Sequence, residues 1–202
     1  MEDSRTGKWF PDKYFKSDEV FDTLLSDPLR AVAPRHWTPL EVAEKASRFL
    51  CTHHGVKVLD IGSGSGKFCM AAAYHHPEAR FTGVEQRAYL VDFCNSLKDK
   101  LGLGNVKFVH ANIKDFDISA YDHFYFYNSF YENLPGTQKI DYDVRYAESL
   151  YNYYNRILYK MLDKKPVGTR LVTYHSLGGE IPPGYEIIDT DYAEYLKYWQ
   201  KL

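Results

Sequence analysis

At 202 residues, 45% of them apolar and 26% charged, the chain has the mass for one buried core and a globular balance, which excludes a disordered polymer or a coiled coil. A net charge of −2, with basic residues interspersed among acidic ones, gives no Lys/Arg stripe to neutralise a phosphate backbone, and places nucleic acid last among partner classes. Cys51, Cys69 and Cys94 form no CxxC pair and read as small reduced core residues, not as a zinc site or disulfide framework.

No run approaches the ~18 apolar residues of a membrane span. The start, MEDSRTGKWF, lacks the basic and apolar regions of a signal peptide, so the expectation is a cytoplasmic protein with no membrane partner. Residues 1–37 are aromatic and charged, and only Asp18 to Leu25 is patterned as a helix; this extension fits either a flap over the site or plain packing. From residue 38 to 202 the pattern predicts a single domain. Thr38-Pro39-Leu40-Glu41 reads as a helix start, with Thr38 as cap, Pro39 at the first helical position, Glu41 bonding back, and Trp37 and Val42 as a hydrophobic staple.

Alternating strand and helix patterns follow, the sign of βαβ units. Lys57 to Ile61 is a buried strand ending in a glycine-rich turn, and Phe68 to His75 a helix closed before Pro77. Phe81 to Glu85 is the second strand, Ala88 to Leu101 a helix, Val106 to His110 the third strand and His123 to Tyr127 the fourth. Residues 145–163 predict a helix with Tyr146, Leu150, Tyr153 and Ile157 on one face. Arg170 to His175 is a fifth strand, and Tyr185 to Ile188 and Tyr195 to Trp199 two more without a long helix between them, which predicts a closing antiparallel pair. The 18 tyrosines crowd into residues 121–159 and 185–198, where they supply large surface with a polar tip. His53-His54 and His75-His76 are adjacent pairs that point apart on a helix, so no metal site is assigned.

The segment with the most specific pattern is VLDIGSGSGKF, residues 58–68: Asp60 near a strand end, then Gly62, Gly64 and Gly66 alternating through the turn, where backbone can closely approach a ligand. A dinucleotide fingerprint needs GxGxxG, but Lys67 stands three after Gly64; a phosphate loop needs GK[ST], but Phe68 follows Gly66-Lys67. The motif, with the seven-strand count and late hairpin, resembles the glycine motif and sheet of class I S-adenosylmethionine-dependent methyltransferases. The resemblance implies a Rossmann-like α/β fold: a seven-stranded, mostly parallel sheet with an antiparallel C-terminal hairpin and helices on both faces. It also implies S-adenosyl-L-methionine as cofactor, held by Thr38, Asp60, Gly62, Ser63, Gly64, Gly66, Glu85, Gln86, Asn112, Ile113 and Asn128. Glu85 matches the family's ribose-binding acid, and Asn112 stands where that family usually carries Asp beside the adenine amine.

On the acceptor side, Asn128-Ser129-Phe130-Tyr131 is similar to the [DNS]PP[YF] tetrad of amino-group methyltransferases, with Ser129 and Phe130 in place of both prolines. Thr38-Pro39 and the Asn-x-Phe after the fourth strand are similar to segments of non-SET lysine methyltransferases. These resemblances imply Asn128 and Tyr131 as catalytic candidates; Glu132, next along the same loop at the carboxyl edge of the sheet, is the candidate to take or orient a proton, with Tyr131 and Tyr127 as aromatic walls. A protein amine or a small molecule is the preferred acceptor, ahead of nucleic acid. Two other readings stay open: a cofactor-binding regulatory protein without transfer chemistry, and a different enzyme on the same fold, such as an NAD-linked oxidoreductase.

Overall fold

A computed structural model describes residues 11–202; the start read as leaderless, and with it the first part of the proposed flap, lies outside them. Seven strands form one sheet in the order β3-β2-β1-β4-β5-β7-β6: β1 (Lys57–Ile61), β2 (Arg80–Glu85), β3 (Val106–His110), β4 (His123–Phe126), β5 (Arg170–Tyr174), β6 (Tyr185–Asp191) and β7 (Leu196–Lys201). The first five pair parallel, and β7 inserts antiparallel between β5 and β6. This is the Rossmann-like sheet expected, hairpin included.

Buried central strands of a parallel sheet need apolar residues on both faces. Val58, Tyr125 and Val172 point to one face, among α3 (Leu40–Leu50), α4 (Lys67–His75) and α5 (Ala88–Lys100). Their neighbours Leu59, Phe124, Phe126 and Leu171 point to the other, among residues of α6 (Glu148–Asp163). The edge strand β6 is largely exposed and carries Glu186, Asp189 and Asp191, charges that discourage edge pairing. Among the described residues no helix is long and apolar enough to cross a membrane.

Three local expectations are corrected. Helix α6 buries Asn155, Leu158 and Leu162, with Tyr151 and Tyr154 packed beside them, whereas Tyr146 precedes the helix and Tyr153 is 47% exposed. A tyrosine's polar tip tolerates water, so tyrosines blur the amphipathic stripe that locates a core face. Thr38 does not cap α3: Pro39 is the cap residue, the Leu40 N–H donates to Asp18 Oδ1 at 2.9 Å, and the Thr38 hydroxyl pairs with the Tyr125 hydroxyl at 2.9 Å. The helix expected over Asp18 to Leu25 is shorter, α1 (Asp18–Asp22), capped by Ser17, and a second, unexpected helix follows it, α2 (Asp27–His36), with Pro28 in its first turn.

These early helices sit on the glycine turn. Phe21 and Leu25 join the core, Phe15 stacks on Tyr74 at 4.4 Å, and buried Lys67 reaches both Asp18 and Asp22 at 2.7 Å.

Candidate cofactor and acceptor site

A cavity of about 650 Å³ opens at the carboxyl ends of β1, β2, β4 and β5, where open α/β sheets bind ligands. Its floor is the turn after β1. Gly64 takes φ +52, and a Cβ there would stand 2.5 Å from the Trp37 ring, so both conformation and space require glycine. Trp37 is held in place by its indole N–H, which donates to the Leu29 carbonyl at 2.9 Å. Gly62 faces Ser129, whose hydroxyl donates to the Ile61 carbonyl at 2.7 Å and so ties the end of β4 to the end of β1.

Two carboxyl groups lie in this floor. Asp60 is buried with the Cys69 thiol at 3.6 Å, and burial pushes its pKa up to about 8. Glu85 ends β2 and accepts from the Gly64 N–H at 3.1 Å and the Arg87 N–H at 2.9 Å. Burial raises its pKa, and the Arg87 charge and the two N–H bonds oppose that rise. Ser63 and Gln86 also line the cavity. At the far wall, Asn112 Oδ1 accepts from the Lys114 N–H at 3.1 Å and its amide donates to the Tyr154 hydroxyl at 2.8 Å; a carbonyl oxygen has two lone pairs, so capacity for one more donor remains. Ile113 is buried beside it.

The residues present fit S-adenosylmethionine. Among the described residues, five buried side-chain polar atoms lack a hydrogen-bond partner, and three of them, on His36, Ser63 and Ser65, line this one cavity. Orphaned polar atoms are uncommon in a folded interior, and their concentration here marks a place for a polar ligand. A buried acid at the end of β2 suits ribose hydroxyls, and a buried, poorly partnered Asp60 suits a cationic head.

The acceptor candidates are arranged differently from expectation. Asn128 takes φ +36 and its amide donates to the His175 carbonyl at 2.7 Å, which joins the ends of β4 and β5. Tyr131 is exposed at the cavity wall, and Tyr127 is half-buried with its hydroxyl on the Arg35 carbonyl at 3.1 Å. Glu132 is not a free carboxylate. One Arg87 nitrogen donates to both of its oxygens at 3.1 Å, and the Ile140 N–H donates to Oε1 at 2.8 Å. These bonds anchor the segment after β4.

Sequence reasoning missed Arg87. Its guanidinium is buried and gathers Glu85 (3.5 Å), Glu132 (3.1 Å) and Asp141 (2.8 Å), with the Tyr146 hydroxyl at 2.7 Å. The signal was available, since a cation stands two residues after the ribose-type acid in Glu85-Gln86-Arg87. Its partners at 132, 141 and 146 lie in a stretch with no periodicity to betray them.

Comparison with known proteins agrees with this geometry. Residues 52–142 match the family described as "Methyltransferase domain". A tRNA (guanine-N(7)-)-methyltransferase of Synechococcus sp. (strain JA-3-3Ab) is 53% identical over 55 residues, 27% of this chain and 23% of that protein, so the chain spans about a quarter of that relative's length. TrmN from Thermus thermophilus superposes with a TM-score of 0.59 at 17% identity, over 86% of this chain and 52% of that one. An RNA methyltransferase from Salinibacter ruber, solved with S-adenosyl-L-homocysteine, gives 0.56 at 20% identity, over 81% and 92%. These structures share the fold. The relative's name overturns the acceptor order drawn from charge: a protein amine or small molecule ahead of nucleic acid is corrected, because net charge averages the whole surface and says little about one pocket.

Proposed function

We propose that this chain, whose residues 52–142 match a methyltransferase domain and whose sheet has the Rossmann-like order, transfers a methyl group from S-adenosylmethionine to a base of an RNA. The observation that carries the cofactor half is buried Glu85, held by the Gly64 and Arg87 N–H groups at the rim of a cavity whose orphaned polar atoms await a ligand. The acceptor half is supported by the tRNA-methylating relative and by the aromatic walls of the cavity.

The cofactor supplies an electrophilic methyl on a sulfonium. Glu85 would hold the ribose hydroxyls, Asn112 and Ile113 would hold the adenine, and Asp60 would meet the positive head. Ser129 and Asn128 lock the ends of β1, β4 and β5 together, so that the acceptor is held in one direction; such positioning contributes on the order of 7–11 kcal/mol in favourable cases. Trp37 and the early helices cover the glycine turn and exclude water from it. A ring nitrogen with an in-plane lone pair attacks without first losing a proton, so the engagement of Glu132 by Arg87 is no obstacle.

The test is incubation of the protein with methyl-labelled S-adenosylmethionine and bulk RNA. The proposal expects label in RNA that nuclease releases and that Glu85→Ala abolishes. Label in protein, or none in bulk RNA from organisms of several kinds, would refute the acceptor assignment.

A further inference from the structure

The acceptor end of the cavity carries a feature that cofactor binding does not use. After β5 and before β7, His175 and Tyr195 stack ring on ring, 4.5 Å apart and 29° from parallel, and the His175 N–H donates to the Tyr195 carbonyl at 2.9 Å. Both line the cavity, and Tyr195 is 56% exposed. Apolar burial therefore does not explain the pair.

The backbone holds it out deliberately. His175 has φ +52, and the hairpin turn that delivers Tyr195 uses three consecutive left-handed residues, Tyr192, Ala193 and Glu194, at φ +51, +52 and +69. Such turns ordinarily employ Gly or Asn; strained positions given to other residues cluster at ligand sites. The amide of Asn128 fixes the His175 carbonyl, and burial lowers the His175 pKa, which keeps its ring neutral near pH 7. Tyr174 and Tyr127 continue the aromatic surface, at 4.3 Å from His175 to Tyr174 and 4.8 Å from Tyr174 to Tyr127. The Tyr127 hydroxyl then meets the carbonyl of Arg35, whose exposed guanidinium has no hydrogen bond or ion pair among the described residues. A neutral aromatic face, with the free guanidinium of Arg35 on the lining of the same cavity, is the chemistry that receives a nucleobase and its phosphate.

We propose that the His175–Tyr195 pair is a stacking platform for an unpaired RNA base at the mouth of the acceptor pocket, with Arg35 meeting the adjoining phosphate. The inference rests on the RNA reading above and deepens it: the substrate is engaged as a single-stranded or looped segment, because a paired base offers no free face to stack.

The experiment is fluorescence anisotropy of the full chain, saturated with S-adenosylhomocysteine, against a labelled single-stranded RNA of mixed sequence, about 12 nucleotides long and so within the range of single-strand sites. Tyr195→Ala weakens binding about tenfold, as loss of one base–aromatic stack should, and Tyr195→Leu, which keeps bulk without a ring, does the same. Tyr195→Phe stays within about twofold of the parent. Tyr153→Ala, which removes an exposed tyrosine of α6 outside the cavity, changes nothing. S-adenosylhomocysteine affinity, measured on every variant, stays at the parent value and shows each to be folded. Parent-level RNA binding by both Tyr195→Ala and Tyr195→Leu overturns the platform alone. Failure of the parent itself to bind the RNA overturns the RNA reading and the platform together.

Discussion

The two halves of the cavity are built by different means. The cofactor half, the turn after β1 and the end of β2, is made of backbone: left-handed glycines, N–H groups aimed at Glu85, and a tryptophan ring laid where a Cβ would be. The acceptor half, at the ends of β4 and β5, is made of side chains, with an amide clamp at Asn128, aromatic stacks, and a segment pinned by Arg87. Backbone geometry demands particular residues at fixed spacing. Side-chain networks draw partners from anywhere in the chain.

Arg87 touches both halves, and its loss should have the largest effect. Arg87→Met leaves Glu85, Glu132 and Asp141 without their shared cation, and breaking such a buried pair is expected to lower unfolding stability by about 3–5 kcal/mol, read by urea denaturation. A change under about 1 kcal/mol would show the two halves to be independent.

Within the cofactor half, Gly64→Ala drives a methyl into the Trp37 ring and is expected to cost roughly 1–3 kcal/mol from overpacking, with loss of cofactor binding. Gly102→Ala is the control. That glycine is equally left-handed, at φ +70, but opens on empty space, so only the conformational penalty of about 1–2 kcal/mol remains and cofactor affinity is untouched. Equal effects on cofactor affinity would deny the turn its role as ligand floor.

Asp60 gives the same half a pH signature. Its folded pKa of about 8 lies above the unfolded value near 3.8, so the folded state holds the extra proton between those limits, and stability without cofactor falls as pH rises from about 4 to about 8. Asp60→Asn should flatten that fall in melting temperature, only in part because Glu85 is also raised. An unchanged slope would mean that Asp60 is not the group responsible.

The smallest effect is expected at the join between the extension and the sheet. Thr38→Val keeps the shape but removes the bond to the Tyr125 hydroxyl, which should cost about 1 kcal/mol in denaturation and leave cofactor affinity within severalfold of the parent.

The contrast also explains what the sequence could disclose. The glycine turn after β1, the place of Glu85 at the end of β2 and all seven strands were legible because a buried parallel strand and a tight left-handed glycine turn have local signatures, period and glycine spacing. Thr38 was misread as a helix cap because its true partner, Tyr125, is 87 residues away, while Asp18 reaches across from α1 to take the capping bond. Glu132 was read as a proton acceptor on location alone; its engagement by Arg87, 45 residues earlier, has no local trace. The His175–Tyr195 stack depends on a turn of Tyr, Ala and Glu in conformations that residue statistics assign to Gly and Asn.

The central claim, that this cavity holds S-adenosylmethionine chiefly through the β1 turn and Glu85, is tested most directly by calorimetric titration with S-adenosylhomocysteine. One-to-one binding by the parent chain, lost in a folded Glu85→Ala variant, is the predicted result. No binding by the parent, or equal binding by the variant, would contradict it.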